Sequence, residues 1–156
     1  MTHTADTDGE PNISLWRRAL AYWWYAWGMS HCYWGIRTAE QGFFVAGIRA
    51  FDRAVSIWPG FAGGYYRRGL IRGRELSQHR QARADLTRAI QLYPEWPEPY
   101  LQRGLFERFH GDPHAAIDDL QRFLDLGGRR GWRGEAERQI ATLRAELEED
   151  KTEDRG

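Results

Sequence analysis

Residues 62–96 read AGGYYRRGLIRGRELSQHRQARADLTRAIQLYPEW, and the same pattern recurs on both sides of them. The preceding copy is GMSHCYWGIRTAEQGFFVAGIRAFDRAVSIWPGF (residues 28–61). The following copy is PEPYLQRGLFERFHGDPHAAIDDLQRFLDLGG (residues 97–128). The copies begin 34 and 35 residues apart. A fixed period of this length indicates a stack of repeats, each a single supersecondary unit.

Each copy carries the same residue types at the same offsets. An aromatic residue or histidine opens it, a glycine follows four residues later, and a small residue and then a large apolar residue mark its second half. In order of the copies these are His31, Gly35, Gly47 and Phe51; Tyr65, Gly69, Ala82 and Leu86; and Tyr100, Gly104, Ala116 and Leu120. A glycine inside a helix costs about 1 kcal/mol relative to alanine. Three of them at one offset predict that a second helix approaches closely there.

The second half of each copy is predicted to be an amphipathic helix. In GIRAFDRAVSIW (residues 47–58), Ile48, Phe51, Val55 and Trp58 recur at spacings of 3, 4 and 3, with charged residues largely opposite. ARADLTRAIQLY (residues 82–93) and HAAIDDLQRFLDL (residues 114–126) repeat this design, and an Asp-Pro pair before the latter has the form of a helix N-cap. Every regular element is therefore predicted to be a helix.

This pattern resembles that of the tetratricopeptide repeat (TPR) family, and the resemblance covers about 100 residues in three tandem copies. The resemblance implies an all-α fold, a right-handed α-solenoid of three helix-turn-helix units at about 28–61, 62–96 and 97–128. Thr38, Arg72 and Glu107 stand where the family prefers tyrosine, and the second copy has one extra residue near Leu76 and Ser77.

A single domain is predicted at residues 13–148, between two acidic tails. Ile140, Leu143 and Leu147 recur at helical spacing, which predicts a capping helix at about 132–148 that shields the last repeat. Residues 1–12 and 149–156 are acidic and polar and are predicted to be disordered. Between residues 11 and 144, 20 arginines stand against 13 acidic residues, so the domain itself is basic.

The first helix is predicted to be extended and rich in tryptophan, from about residue 13 to 38, with Ser14 as its cap. Its segment ALAYWWYAWGMSHCYWGI (residues 19–36) contains no charged residue. Trp16, Leu20, Trp23, Trp27 and Trp34 form one stripe, and other apolar residues lie on further faces, which is more than one neighbouring helix can cover. Trp16, Trp23 and Trp27 are therefore predicted to form an N-terminal interface. Internal packing and contact with a membrane surface remain alternatives, whereas a membrane span is disfavoured because leucine, isoleucine and valine are scarce.

The chain is predicted to have neither a catalytic site nor a cofactor. Cys32 is the only cysteine, which excludes an intramolecular disulfide and a multi-cysteine metal cluster. His110 and His114 have a metal-like spacing, but the sequence HGDPH breaks the helix between them, and a solvated turn is favoured. Asp118 and Asp119 are adjacent on a helix and are predicted to be exposed. Neither a nucleophile motif nor a phosphate-binding glycine loop is present.

The TPR resemblance implies that the first helices of the repeats line a concave groove. The groove positions map to Cys32, Ile36, Tyr66, Arg67, Leu70, Arg74, Leu101, Leu105, Arg108 and Phe109. The family's best-known groove of three repeats clamps a C-terminal carboxylate with lysine, asparagine and arginine, and that set of residue types is missing here. An apolar trough flanked by Arg67, Arg74, Arg103 and Arg108 instead favours an amphipathic, or an acidic and hydrophobic, segment of another protein. The alternative is that the leucines contact neighbouring repeats.

The sequence therefore favours a noncatalytic protein-interaction adaptor or scaffold. The alternative is a membrane-peripheral assembly factor of the same fold that docks through its tryptophan-rich helix, and self-association through that helix also stays open. Nucleic acid is a disfavoured partner, because the seven arginines of AGGYYRRGLIRGRELSQHRQARADLTR (residues 62–88) spread around two helices and the formal net charge is zero. An acidic, polar N terminus and a lone cysteine predict a cytoplasmic protein, membrane-associated in the alternative.

Overall fold

A computed structural model describes residues 13–153, and this part of the chain consists of helices and short connections. The helices are α1 (Leu15–Thr38), α2 (Gln41–Ile57), α3 (Ala62–Arg74), α4 (His79–Leu92), α5 (Pro97–His110), α6 (Pro113–Asp125) and α7 (Arg130–Glu153). Because connections of two to four residues join them, consecutive helices are antiparallel neighbours. Three helix pairs, α1–α2, α3–α4 and α5–α6, stack into a solenoid, and α7 packs on α6. The predicted all-α solenoid is confirmed, and α1 and α7 each span 24 residues.

The glycines predicted to mark close approaches do so in the second and third pairs. A Cβ atom added to Gly69 would lie 3.1 Å from the carbonyl oxygen of Ala82, and one added to Gly104 would lie 3.2 Å from that of Ala116. At these distances even a Cβ atom would require the facing helix to shift, so the paired helices pack closely at both glycines. In the first pair the backbones meet at Gly28, where a Cβ would lie 3.1 Å from the oxygen of Gly47.

Each pair has one large apolar side chain at its centre. Phe51, Leu86 and Leu120, predicted from the repeat pattern, are fully buried. In the third pair Leu120 belongs to a cluster that α5, α6 and α7 build together: Leu101, Ala116, Leu120, Phe123, Ala136, Ile140 and Leu143. The capping helix is therefore part of the hydrophobic core and shields the last repeat.

The extra residue of the second copy is accommodated in the α3–α4 connection. Ser77 adopts a left-handed backbone conformation with φ of 54°, and the amide of Gln78 donates to the carbonyl oxygen of Arg72 at 2.7 Å. The α5–α6 connection follows the prediction, because Pro113 begins α6 and the Asp112 side chain accepts a hydrogen bond from the His114 amide at 2.8 Å. Both connections keep their helices in the common stacking geometry.

The helix ends differ from the predictions at two places. Helix α7 begins at Arg130 and continues to Glu153, so the prediction of disorder is wrong for residues 149–153. Residues 154–156 and the acidic residues 1–12 lie outside the described residues. Ser14 does occupy the N-cap position of α1, but its side chain makes no capping hydrogen bond.

Candidate partner-binding site

An elongated cavity of about 250 Å³ lies between α1 and α3, the first helices of two successive repeats. Its lining residues recur at helical spacing on both helices, so that one face of α1 meets one face of α3. They are Met29, Cys32, Tyr33 and Ile36 from α1, Arg67, Leu70, Ile71 and Arg74 from α3, and Glu75, which directly follows α3. We call this cavity and its rim the α1–α3 groove.

The α1–α3 groove has a buried floor and exposed walls. Cys32 and Leu70 are buried, whereas the side chain of Ile36 is 69% exposed and that of Tyr33 is 57% exposed. An isoleucine this exposed, beside an apolar floor, leaves a surface on which another apolar side chain can be buried.

Burial makes the floor of the α1–α3 groove chemically inert. It raises the pKa of the Cys32 thiol to about 11, and the charge of Glu75 adds to the shift while that of Arg67 opposes it. A thiol with this pKa stays protonated near neutral pH, and only the thiolate is a good nucleophile. Cys32 therefore contributes an apolar surface to the groove.

The rim of the α1–α3 groove carries charges of both signs. Arg74 donates from Nη2 to Oε1 of Gln102 at 2.6 Å, which ties the rim to α5. Arg67 is exposed, makes no ion pair with any described residue and lies 5.8 Å from the centre of the Tyr66 ring. Glu75 is the single acidic residue of the lining. Arg67 is thus available to a carboxylate of a bound segment.

The sequence identified five residues of this lining, namely Cys32, Ile36, Arg67, Leu70 and Arg74, and missed Met29, Tyr33, Ile71 and Glu75. Three of the missed residues lie three or four positions from identified ones: Met29 from Cys32, Tyr33 from Ile36, and Ile71 from Arg67 and Arg74. Helical spacing, applied outward from the identified residues, would have found these three, whereas Glu75 follows the end of α3 and carried no such signal.

The predicted continuation of the trough along α5 is wrong. Leu101 is 1% exposed and belongs to the core cluster, against which Leu105 also packs, half-buried. The physical reason is that Leu101 faces the core shared by α5, α6 and α7, to which α7 contributes Ala136, Ile140 and Leu143. Tyr66, the equivalent residue of the second repeat, packs on Trp96 with ring centres 4.6 Å apart.

The last predicted groove residues lie where α5 meets the capping helix. Arg108 Nη2 lies 3.6 Å from Oε1 of Glu146 on α7, and its guanidinium lies 5.3 Å from the centre of the Phe109 ring. Phe109 itself is exposed. These two residues are therefore separated from the α1–α3 groove and do not line it.

Two arginine–aspartate pairs inside the repeats were not predicted. Arg103 donates from Nε and Nη2 to the two carboxylate oxygens of Asp119, each at 2.7 Å, and this partner raises the pKa of Arg103. Arg68 holds Asp85 in the same way one repeat earlier. Asp119 is 6% exposed, so its predicted exposure is wrong, and Arg103 does not flank the groove because Asp119 holds it against α6.

A second cavity, of about 270 Å³, lies between α4 and α5 and is lined by His79, Arg80, Arg83, Phe106, Glu107 and His110. The rings of His79 and His110 stack with centres 3.6 Å apart. Glu107 is buried, forms an ion pair with Nε of Arg83 at 2.6 Å and accepts a hydrogen bond from the Asp112 amide at 3.2 Å. Among the described residues no group of three or more histidine, cysteine, aspartate or glutamate side chains is placed to hold a metal ion.

The tryptophan stripe of α1 lies on a face that the other described helices leave uncovered. Trp16, Trp23 and Trp27 are 66%, 54% and 49% exposed, and the rings of Trp23 and Trp27 are stacked. The opposite side of α1 packs on the first repeat: Ala21, Gly28, Cys32 and Gly35 are buried there, and the half-buried ring of Tyr25 contacts Phe51 and Phe61. No helix within residues 13–153 combines the length and the apolar character that a membrane crossing requires.

The stacked helix pairs and the groove between their first helices define an α-solenoid of helix-turn-helix repeats. The first TPR domain of Spaghetti (RPAP3), bound to the HSP90 peptide SRMEEVD, has a similar structure, with a TM-score of 0.70 and 18% identity over 83% of this chain and 94% of that chain. The Arabidopsis OM64 TPR domain has a TM-score of 0.69 and 19% identity over 83% of this chain and 98% of that chain. The Sgt2 TPR domain from Aspergillus fumigatus has a TM-score of 0.67 and 17% identity over 85% of this chain and 82% of that chain. This chain has the TPR fold.

The likeness is one of structure. No protein-family model matches this sequence, and no curated protein matches it.

Proposed function

We propose that this protein is a noncatalytic adaptor that binds a segment of another protein in the α1–α3 groove. The observation that carries the proposal is the combination of a buried apolar floor with the exposed side chains of Ile36 and Tyr33 above it. The fold supports it, since the structurally similar TPR domain of RPAP3 holds a peptide.

The groove favours a segment with one large apolar side chain close to an acidic one. The cavity of about 250 Å³ has room for one such apolar anchor, and burying it against Leu70 and Ile71 supplies the main driving force. The unpaired guanidinium of Arg67 then faces a neighbouring carboxylate. Glu75 at the same rim disfavours a second acidic residue on its side.

The recognition we propose does not require a C-terminal carboxylate. The chain contains a single lysine, Lys151, which lies on α7, and a single asparagine, Asn12, which lies outside the described residues, so the described residues of α1, α3 and α5 include neither type. A clamp built from lysine, asparagine and arginine is therefore incomplete in the groove. An internal segment of a partner satisfies the groove as well as a terminal one.

Selection from a displayed library of random 12-residue peptides tests the proposal. We expect the enriched peptides to share an apolar anchor with an acidic residue nearby, and amidation of their C termini to leave binding unchanged. Ile36→Glu should weaken binding at least tenfold, because a carboxylate then borders the apolar cavity next to the acidic side chain of the peptide.

Val45→Glu is the matched control. Val45 is an aliphatic residue of α2, is exposed like Ile36 and does not line the cavity. We expect this variant to bind the selected peptides like the wild type. Equal losses in both variants, with unchanged helical circular dichroism, would place the binding site outside the α1–α3 groove.

A further inference from the structure

The N-terminal face of the solenoid is the apolar stripe of α1, formed by Trp16, Leu20, Trp23, Trp27 and Trp34. The four tryptophans are between 49% and 66% exposed. At the edge of the stripe His31 lies between Trp27 and Phe43 of α2. Monomeric proteins rarely leave so many large aromatic side chains uncovered on one helix.

The repeat period shows which face of a repeat the tryptophan stripe occupies. Trp34 occupies the repeat position of Arg68 and Arg103. Arg68 donates to Asp52 of α2 at 2.7 Å, and Arg103 donates to Thr87 of α4 at 2.9 Å, so each reaches back to the preceding repeat. The N-terminal face is thus the packing face between repeats, with no described helix in front of it.

The first repeat has a different side chain at this position. The second and third repeats place a charged arginine there, which needs an acceptor on the facing helix, whereas the first repeat places the apolar ring of Trp34. None of the five residues of the stripe carries a charge. The face therefore fits a partner surface that is itself apolar and without complementary charges.

The spacing of the four tryptophans is palindromic. Positions 16, 23, 27 and 34 are separated by 7, 4 and 7 residues and are symmetric about position 25. Two copies of α1 packed antiparallel around a two-fold axis at that point would set Trp16 opposite Trp34 of the second copy, and Trp23 opposite Trp27. A two-fold interface requires such a self-complementary pattern.

We propose that two copies of this chain form a two-fold dimer in which their N-terminal faces pack together, α1 against α1. A tryptophan presents about 150–250 Å² in full, and the four of the stripe are 49–66% exposed, so they leave roughly 330–550 Å² uncovered per chain. Two stripes bury roughly 660–1,100 Å² in total, to which Leu20 adds, and this approaches the lower limit of about 1,200 Å² for specific interfaces. The proposal does not depend on the α1–α3 groove, which lies on another side of α1.

A head-to-tail contact offers the stripe no comparable surface. At the other end of the solenoid the exposed side of α7 is mostly polar, with residues such as Glu137, Arg138 and Arg144. Packing the tryptophans on these groups would bury charges without partners. The pairing of two identical faces avoids this cost.

Sedimentation velocity of the full chain at about 1–100 µM tests the proposal, because the dissociation constants of weak to moderate dimers are of this order. We expect the wild type to be a dimer, and Trp23→Glu combined with Trp27→Glu to raise the dissociation constant at least a hundredfold. Trp132→Glu on α7 is the matched control, because Trp132 is a tryptophan of similar exposure outside the stripe, and it should stay dimeric. Ile36→Glu should also stay dimeric, which separates this test from that of the groove.

Cross-linking determines the arrangement of the two chains. In a Cys32→Ala background, Leu20→Cys with Ser30→Cys should give bismaleimide products that join position 20 to position 30 of the second copy. A product that joins the two positions 20 to each other would overturn the antiparallel dimer. A wild type that stays monomeric at about 100 µM, where weak dimers form, would overturn the proposal. If that monomer binds vesicles of phosphatidylcholine and phosphatidylglycerol, and the Trp23→Glu, Trp27→Glu variant does not, the stripe would be assigned to a lipid surface.

Discussion

Asp118 and Asp119 are neighbours in the sequence, but only Asp118 is exposed to solvent. Asp119 points into the third helix pair, where it accepts two hydrogen bonds from Arg103. The sequence contained a signal for this pair, because Asp85 and Arg68 stand at the same repeat positions one unit earlier. Two charges that recur together at one offset indicate a conserved contact within the repeat unit, whereas composition alone predicts an exposed acidic face.

Asp119→Ala should therefore destabilise the fold by about 2–3 kcal/mol, because it leaves the largely buried Arg103 with only the hydroxyl of Thr87 as a partner. Asp118→Ala is the matched control and should change the free energy of unfolding by less than about 0.5 kcal/mol. Urea denaturation followed by circular dichroism measures both. Equal effects of the two substitutions would mean that the ion pair adds no stability.

At the scale of the helices, the repeat period was sufficient to predict nearly every helix. Periodic apolar residues and helix-breaking residues predicted the seven elements, and Gly69 and Gly104 marked where two of the helix pairs approach closely. The period did not predict the end of α7, because residues 149–153 carry no apolar pattern and continue the helix by local hydrogen bonding. It also placed Leu101 in the groove, since the position of a residue on its helix does not say which neighbouring helix covers it.

The close approach at Gly104 gives a prediction for one helix pair. Gly104→Leu should cost about 1–3 kcal/mol or more, because even a Cβ atom there would lie 3.0 Å from Cγ of Leu120 and 3.2 Å from the oxygen of Ala116. Gly131→Leu on α7 meets no atom within 4 Å of its Cβ and should stabilise the helix by about 0.5 kcal/mol. Thermal unfolding compares them, and a Gly104→Leu variant as stable as the parent would contradict the close packing of α5 on α6.

The whole molecule has two separate surfaces on its first helix. One face of α1 lines the α1–α3 groove with Cys32 and Ile36, and another carries the tryptophan stripe. The composition of α1 was sufficient to predict the stripe, because an α-helix that is apolar on several sides has more to bury than one neighbour covers. Cys32 and Ile36 were assigned to the groove by the TPR resemblance. The length of the groove could not be predicted from the sequence, because it depends on how α7 packs against the last repeat.

Photo-cross-linking of a selected peptide shows whether the α1–α3 groove is the binding site. The peptide carries benzophenone in place of its apolar anchor, and mass spectrometry locates the bond formed on irradiation. We predict cross-links to Met29, Ile36 or Ile71, whose side chains surround the cavity. Cross-links confined to the cavity between α4 and α5, or to the outer face of α6, would contradict binding in the α1–α3 groove.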